Sequence, residues 1–224
     1  MADGLESGND KACTGIIKVS EMENGLEERI QSCQLEDGNI YDPKAAGPTT
    51  GKPSFPTVFI NAGGITEYVD EAGNKWEVDN YKNGGNYAST DSVIMGAGEE
   101  GSTLYQTERW FPRGTSATYE IPVLTETHDY EVTLYFSESF INVSRRVFNV
   151  FVEGSRVLAD VNIFDTVGFL AVSGPFSFRR VKVSDGFLTV FFEHINENPK
   201  ISAIQVRLMD PSETDSPTTS PRLL

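Results

Sequence analysis

Tyr130-Glu131-Val132-Thr133-Leu134-Tyr135-Phe136 is the stretch whose reading decides the fold class. Tyr130, Val132, Leu134 and Phe136 alternate with Glu131, Thr133 and Tyr135, the period of a strand with one buried face. The pattern returns downstream. Phe148, Val150 and Val152 alternate with Asn149, Phe151 and Glu153, Leu188, Val190 and Phe192 form a third set, and Ile204, Val206 and Leu208 a fourth. Turn residues punctuate these runs at Glu71-Ala72-Gly73-Asn74, Glu153-Gly154-Ser155 and Ser184-Asp185-Gly186. The Ser-Asp-Gly step, between Val181/Val183 and Leu188/Val190, predicts a hairpin. No window from Thr57 to Leu208 holds a sustained apolar i, i+3, i+4, i+7 stripe, so long helices are not expected there. Many short antiparallel strands predict an all-β domain, a sandwich or barrel.

Outward from this region the composition changes. Residues 1–56 form an N-terminal extension, 57–209 the β-domain, and 210–224 a Ser/Thr/Pro-rich tail that reads as linker. Asp42-Pro43-Lys44-Ala45-Ala46-Gly47-Pro48-Thr49-Thr50-Gly51-Lys52-Pro53 separates the extension from the domain, its prolines and glycines disfavouring regular structure. Within the extension, Cys13 and Cys33 leave a disulfide and two free thiols equally open. The start, Met1-Ala2-Asp3-Gly4-Leu5-Glu6, lacks the basic and apolar regions of a secretory leader. The expectation is a segment of a larger protein of the extracellular space or the endoplasmic reticulum lumen.

Composition narrows the function. The 224 residues carry a formal net charge of −15, which disfavours phosphate backbones and anionic membrane surfaces as partners. No apolar run reaches the roughly 18–20 residues that cross a bilayer, so no direct membrane insertion is expected. Two His and two Cys, neither type clustered, argue against a zinc site or a histidine-based catalytic centre. No cofactor and no metal are expected, and no EF-hand pattern is present.

Four phrases occur in order: Phe59-Ile60-Asn61-Ala62-Gly63-Gly64, Leu104-Tyr105-Gln106-Thr107-Glu108-Arg109-Trp110, Asp160-Val161-Asn162-Ile163-Phe164-Asp165-Thr166-Val167-Gly168, and Asn198-Pro199-Lys200-Ile201-Ser202-Ala203-Ile204. Together they resemble the malectin family. The resemblance runs from about Phe59 to Leu208. It implies a jelly-roll-like, malectin-like β-sandwich with a ligand site borne on loops at one end. It also implies binding of glucose-containing oligosaccharides, as a lectin or as a module of a receptor ectodomain. Carried over residue by residue, the family's sugar contacts fall at Tyr87 (with Tyr81 as the alternative), Trp110, Phe140, Ile141 and Glu197. Trp110 stands where the family usually has Tyr, Ile141 replaces a second aromatic, and Glu197 replaces Asp.

These residue types suit a sugar. An aromatic ring packs on the C–H face of a pyranose, and a carboxylate accepts from two hydroxyls at once. Trp110 and Phe140 are read first as ligand contacts, with core residues capping the sandwich as the alternative, and Glu197 is as readable as a solvated loop acid. Glu108 and Arg109, adjacent on a strand, point to opposite faces; the expectation is one buried through pairing and one exposed. A sequon, Asn142-Val143-Ser144, lies beside Phe140 and reads as a chance tripeptide or an unoccupied site. Enzymatic activity is not expected. Glu108, Glu138, Asp165 and Glu197 are candidate glycosidase carboxylates, but no nucleophile elbow, P-loop or His–Glu metal motif accompanies them. A protein or peptide partner, as for a receptor ectodomain, is the alternative to a glycan.

Overall fold

A computed structural model describes residues 57–98 and 102–213, together with two short strands nearer the N-terminus. The chain divides into two compact units, Met1–Ser54 and Phe55–Leu224. In the first, β1 (Cys33–Gln34) and β2 (Ile40–Tyr41) pair antiparallel. The state of Cys13 and Cys33 lies outside the described residues, as does the tail from residue 214.

The second unit begins with β3 (Thr57–Asn61), β4 (Tyr68–Val69), β5 (Lys75–Trp76), β6 (Lys82–Asn83) and β7 (Asn86–Ser89). A single helical turn, α1 (Ser102–Tyr105), precedes β8 (Thr107–Trp110), β9 (Thr118–Pro122) and β10 (His128–Glu138). Then come β11 (Val147–Val152), β12 (Ser155–Val161) and α2 (Ile163–Val167). The unit closes with β13 (Ala171–Val183), β14 (Phe187–Asn196), β15 (Lys200–Ile201) and β16 (Ala203–Leu208). Helices among the described residues are short, as the missing helical periodicity predicts.

Two antiparallel sheets make the sandwich: a four-stranded one ordered β13-β10-β16-β3 and a five-stranded one ordered β12-β11-β14-β9-β6. The alternating residues of the sequence meet between them. Val132, Leu134 and Phe136 of β10, Phe148 and Val150 of β11, and Leu188, Val190 and Phe192 of β14 are all fully buried. Phe136 of one sheet lies 5.9 Å from Phe148 of the other, ring centre to ring centre. Each such side chain contributes roughly 1.5–3 kcal/mol through removal from water.

The four-stranded sheet is covered on its outer face too. Trp76, Ile94, Leu104 and Tyr105 pack there against Tyr135 and Phe59. Trp76 stands edge-on to Phe59 at 5.0 Å and to Tyr135 at 5.5 Å, and its indole N–H donates to Asp70 at 3.0 Å.

Two turn readings resolve differently. Glu153-Gly154 closes a two-residue hairpin between β11 and β12, both residues at positive φ (49° and 70°), as a primed turn requires. Ser184-Asp185-Gly186 is not a hairpin. It joins β13, paired with β10, to β14, paired with β11 and β9, and so carries the chain from one sheet to the other. Alternation fixes which face of a strand is buried but not which sheet supplies its neighbour.

Candidate functional site

At the end of the sandwich where β10 and β14 finish and β11 and β16 begin, a small three-stranded sheet, β15-β8-β7, carries Thr107–Trp110, the second half of the Leu104–Trp110 phrase. It sits tightly under the Gly63-Gly64 turn. A Cβ on Gly63, which is at φ +77°, would fall 2.1 Å from the Glu108 carbonyl oxygen, so only glycine fits.

Directly opposed residues of an antiparallel pair share a face. Trp110 is opposed by Asn86 on one side and Lys200 on the other, and Glu108 lies two residues back on the same face. Tyr87 is opposed to Arg109, and the register therefore assigns it to the other face. Tyr87 is exposed (59%), Phe140 exposed (43%) and Trp110 half-buried.

Beneath this surface lies charge. Lys200 and Glu108 form an ion pair, with their side chains 0% and 3% exposed. Beyond each other, neither Lys200 Nζ nor Glu108 Oε2 has a hydrogen-bond partner among the described residues. The ammonium lies 6.0 Å from the centre of the Phe140 ring, within reach of a cation–π contact. Phe140 thus borders a buried cation whose residue is the cross-strand neighbour of Trp110, and Tyr87 belongs to the other face of that sheet.

Arg109 is also buried. Its Nε donates to Asp79 Oδ2 at 2.6 Å and its Nη1 to the Gly85 carbonyl at 3.0 Å, while the Tyr119 hydroxyl donates to Asp79 Oδ1 at 2.7 Å. Burial pushes the Tyr119 hydroxyl pKa well up, and the Asp79 charge adds to the shift. Glu108 and Arg109 point to opposite faces as read, but neither is exposed: each meets an opposite charge brought from elsewhere in the chain.

Phe140 and Ile141 follow Glu138, which is 0% exposed. Its Oε1 accepts from the Phe140 N–H at 3.3 Å and the Ile141 N–H at 3.0 Å; its Oε2 accepts from Arg146 Nε at 2.8 Å. Arg146 also donates through Nη1 to the Asn198 carbonyl. Glu197, at φ +57° and half-buried, pairs with Arg145 at 3.3 Å. Close by on β14, burial lowers the His194 pKa, the Glu197 backbone opposing and the Arg113 charge reinforcing that shift. Tyr105, whose carbonyl accepts from Ser137 Oγ at 2.8 Å, is pushed up to about 12 by burial.

The sequence did not single out Lys200, Arg145, Arg146 or Asp79. The usable signal was a charged residue inside a run built for burial, as Lys200 is between Pro199 and Ile201. A separate groove of about 510 Å³ lies between β12 and β13, lined by Val157, Phe178, Arg179, Arg180 and Lys182 among others. It includes none of the sequence-predicted site residues.

A family model, Malectin domain, matches residues 57–204. The chain is 34% identical to a malectin of Danio rerio over 163 residues, covering 66% of this chain and 56% of that protein. It is 32% identical to a malectin of Homo sapiens over 178 residues, covering 72% and 59%. The chain therefore spans less than two thirds of these relatives. A kinesin-like protein of Arabidopsis thaliana, KIN-14R, is 29% identical over 189 residues, covering 80% of this chain and 17% of that one. Among solved structures, a Bacteroides uniformis β-glucuronidase matches with a TM-score of 0.59 at 15% identity, over 69% of this chain and 18% of that chain. The ANX2 ectodomain of Arabidopsis thaliana matches with a TM-score of 0.57 at 16% identity, over 69% and 50%. At those identities the likeness is one of fold.

Proposed function

This chain belongs to the malectin domain family, and from that premise we propose that it is a non-catalytic carbohydrate-binding domain for glucose-containing oligosaccharides, bound at the loop end of the sandwich. The observation that carries this reading is the exposed Phe140 ring beside a buried Lys200–Glu108 pair, with Trp110 opposite Lys200. A pyranose stacks its C–H face on an aromatic ring, and its rim of hydroxyls needs donors and acceptors. Arg145 and Glu197, partly exposed beside the site, offer one of each. Ile141 contributes apolar contact without a stacking face. Tyr87 acts from the other face of β7, as an outlying contact to a longer glycan.

Binding without turnover is favoured by the state of the acids. A glycosidase needs two carboxylates free to reach the scissile bond and its attacking water. Glu108 and Glu138 are buried and committed to Lys200 and Arg146; Glu197 is paired with Arg145. Asp165 accepts from Asn162 at 2.7 Å.

A glycan array with the full chain, repeated for Trp110→Ala and Phe140→Ala, tests the proposal. Selective retention of glucose-containing oligosaccharides is expected, weakened about tenfold or more in each variant, or roughly 1.4 kcal/mol. A folded sample that retains no glycan overturns it and moves the site to the second reading, a protein or peptide partner. That reading is favoured by Val143, 48% exposed on the same loop as Phe140. For compartment we propose the extracellular space or the endoplasmic reticulum lumen, as part of a larger protein. A cytosolic signal from a fluorescent fusion of the protein would overturn that placement.

A further inference from the structure

We infer that Glu138 and Arg146 are positioning residues of the ligand site, a two-residue brace that ties the Phe140–Ile141 loop to the Glu197–Asn198 loop so that the two hold one spacing. The inference rests on the reading of this end as the sugar site and adds to it what sets the site's geometry.

Ion pairs buried this deeply are weak contributors to stability, because desolvation offsets their attraction and an apolar pair of similar volume often does as well. What such a pair does is therefore to be sought in the groups it touches. Glu138 is the last residue of β10, and its carboxylate turns back to accept the N–H groups of the next loop, at Phe140 and Ile141. Arg146 stands immediately before β11, and its guanidinium donates to that carboxylate with Nε and across to the Asn198 carbonyl with Nη1.

The chain of contacts runs from the Phe140 and Ile141 backbone, through Glu138 and Arg146, to the Asn198 backbone, with no exposed member between. Loops joined through one guanidinium cannot move apart independently. Phe140 presents the ring on one loop and Glu197 the carboxylate on the other, so the brace fixes the ring-to-carboxylate distance that a pyranose must match. A guanidinium is suited to this because its donors are rigidly splayed, whereas an ammonium reaches one partner at a time.

Two charge-conserving variants of the full chain test the brace. Glu138→Asp draws the carboxylate back from the Phe140 and Ile141 amides, and Arg146→Lys withdraws the contact to Asn198. Amide hydrogen exchange reads both loops, with maltose titrated as the sugar probe and Arg207→Lys, at the far end of the sandwich, as the control. The expected result is crossed: Glu138→Asp speeds exchange at residues 197 and 198, and Arg146→Lys speeds it at Phe140 and Ile141, each about tenfold. Exchange in the β10–β16 ladder stays within about twofold, maltose affinity falls about tenfold, and Arg207→Lys leaves both loops unchanged.

Variants that keep the ladder protected but loosen only their own loop, or neither, overturn the brace. Should one variant lose the ladder protection, the other decides. Crossed exchange in a protein whose wild type ignores both maltose and the glycan array leaves the brace standing and removes the sugar reading instead.

Discussion

Strand β10 carries paired carboxylates at both ends, and the two ends differ in what water does to them. At its start, Glu131 accepts from Arg207 at 2.6 Å, Asp129 pairs with Arg180 at 3.2 Å, and Glu213 binds Arg207 and Arg179. Those side chains keep 17–36% of their surface in solvent. At its finish, Glu138 and Arg146 keep 0% and 4%. The same pairing chemistry is therefore a solvated network at one end and a sealed brace at the other. Solvated pairs adjust to each other and are screened by salt, while sealed pairs hold because neither partner has anywhere else to go.

The largest effect expected from this contrast is on Glu138→Ala. It strands the Arg146 charge without water or counterion and removes an acceptor for two backbone N–H groups. A loss of about 3–5 kcal/mol is expected in denaturant unfolding. A loss below about 1 kcal/mol would mean that the loop end admits water and that the two ends of β10 are alike.

Arg207→Ala is the matching cut at the solvated end. A loss of about 1 kcal/mol or less is expected, shrinking further in high salt. Denaturation at low and high ionic strength measures it, and an unchanged loss in salt would move this network to the sealed class.

The smallest effect is on pH. Burial holds the His194 pKa below its ordinary value of about 6.5. The unfolded chain therefore binds the proton more readily. The stability owed to neutral His194 is present above about pH 6.5 and is lost as the pH falls through the lowered folded value. His194→Gln should flatten that part of the stability profile, and an identical acid slope in both proteins would show that the ring is hydrated.

The contrast also bears on what a sequence can tell. The strands were legible because Val132, Leu134 and Phe136 must alternate wherever β10 pairs. Which sheet a strand joins was not, so the Ser184-Asp185-Gly186 step read as a hairpin when it crosses between sheets. Phe140 and Trp110 came from the family resemblance alone; the structure sets the Phe140 ring over Lys200 and Trp110 across from that residue in the β8–β15 pair. Lys200, Asp79 and Arg146 were not legible, because a buried charge is distinguished from a solvated one only by a partner that folding brings to it. Glu108 and Arg109 show the same limit: adjacent residues require opposite faces, but nothing local says that both faces are covered.

The two tryptophans of the chain stand in unlike surroundings. Trp76 is sealed in the outer cluster, hydrogen-bonded to Asp70 and flanked by Phe59 and Tyr135, while Trp110 is half-buried on β8, across from Lys200. Light emitted by the protein therefore comes from two separable sources. Emission from Trp76 tracks whether the cluster on the four-stranded sheet is intact. On the proposed function, emission from Trp110 reports a ligand at the loops, so a Trp76→Phe chain would carry its own optical gauge of occupancy, without a dye or a label.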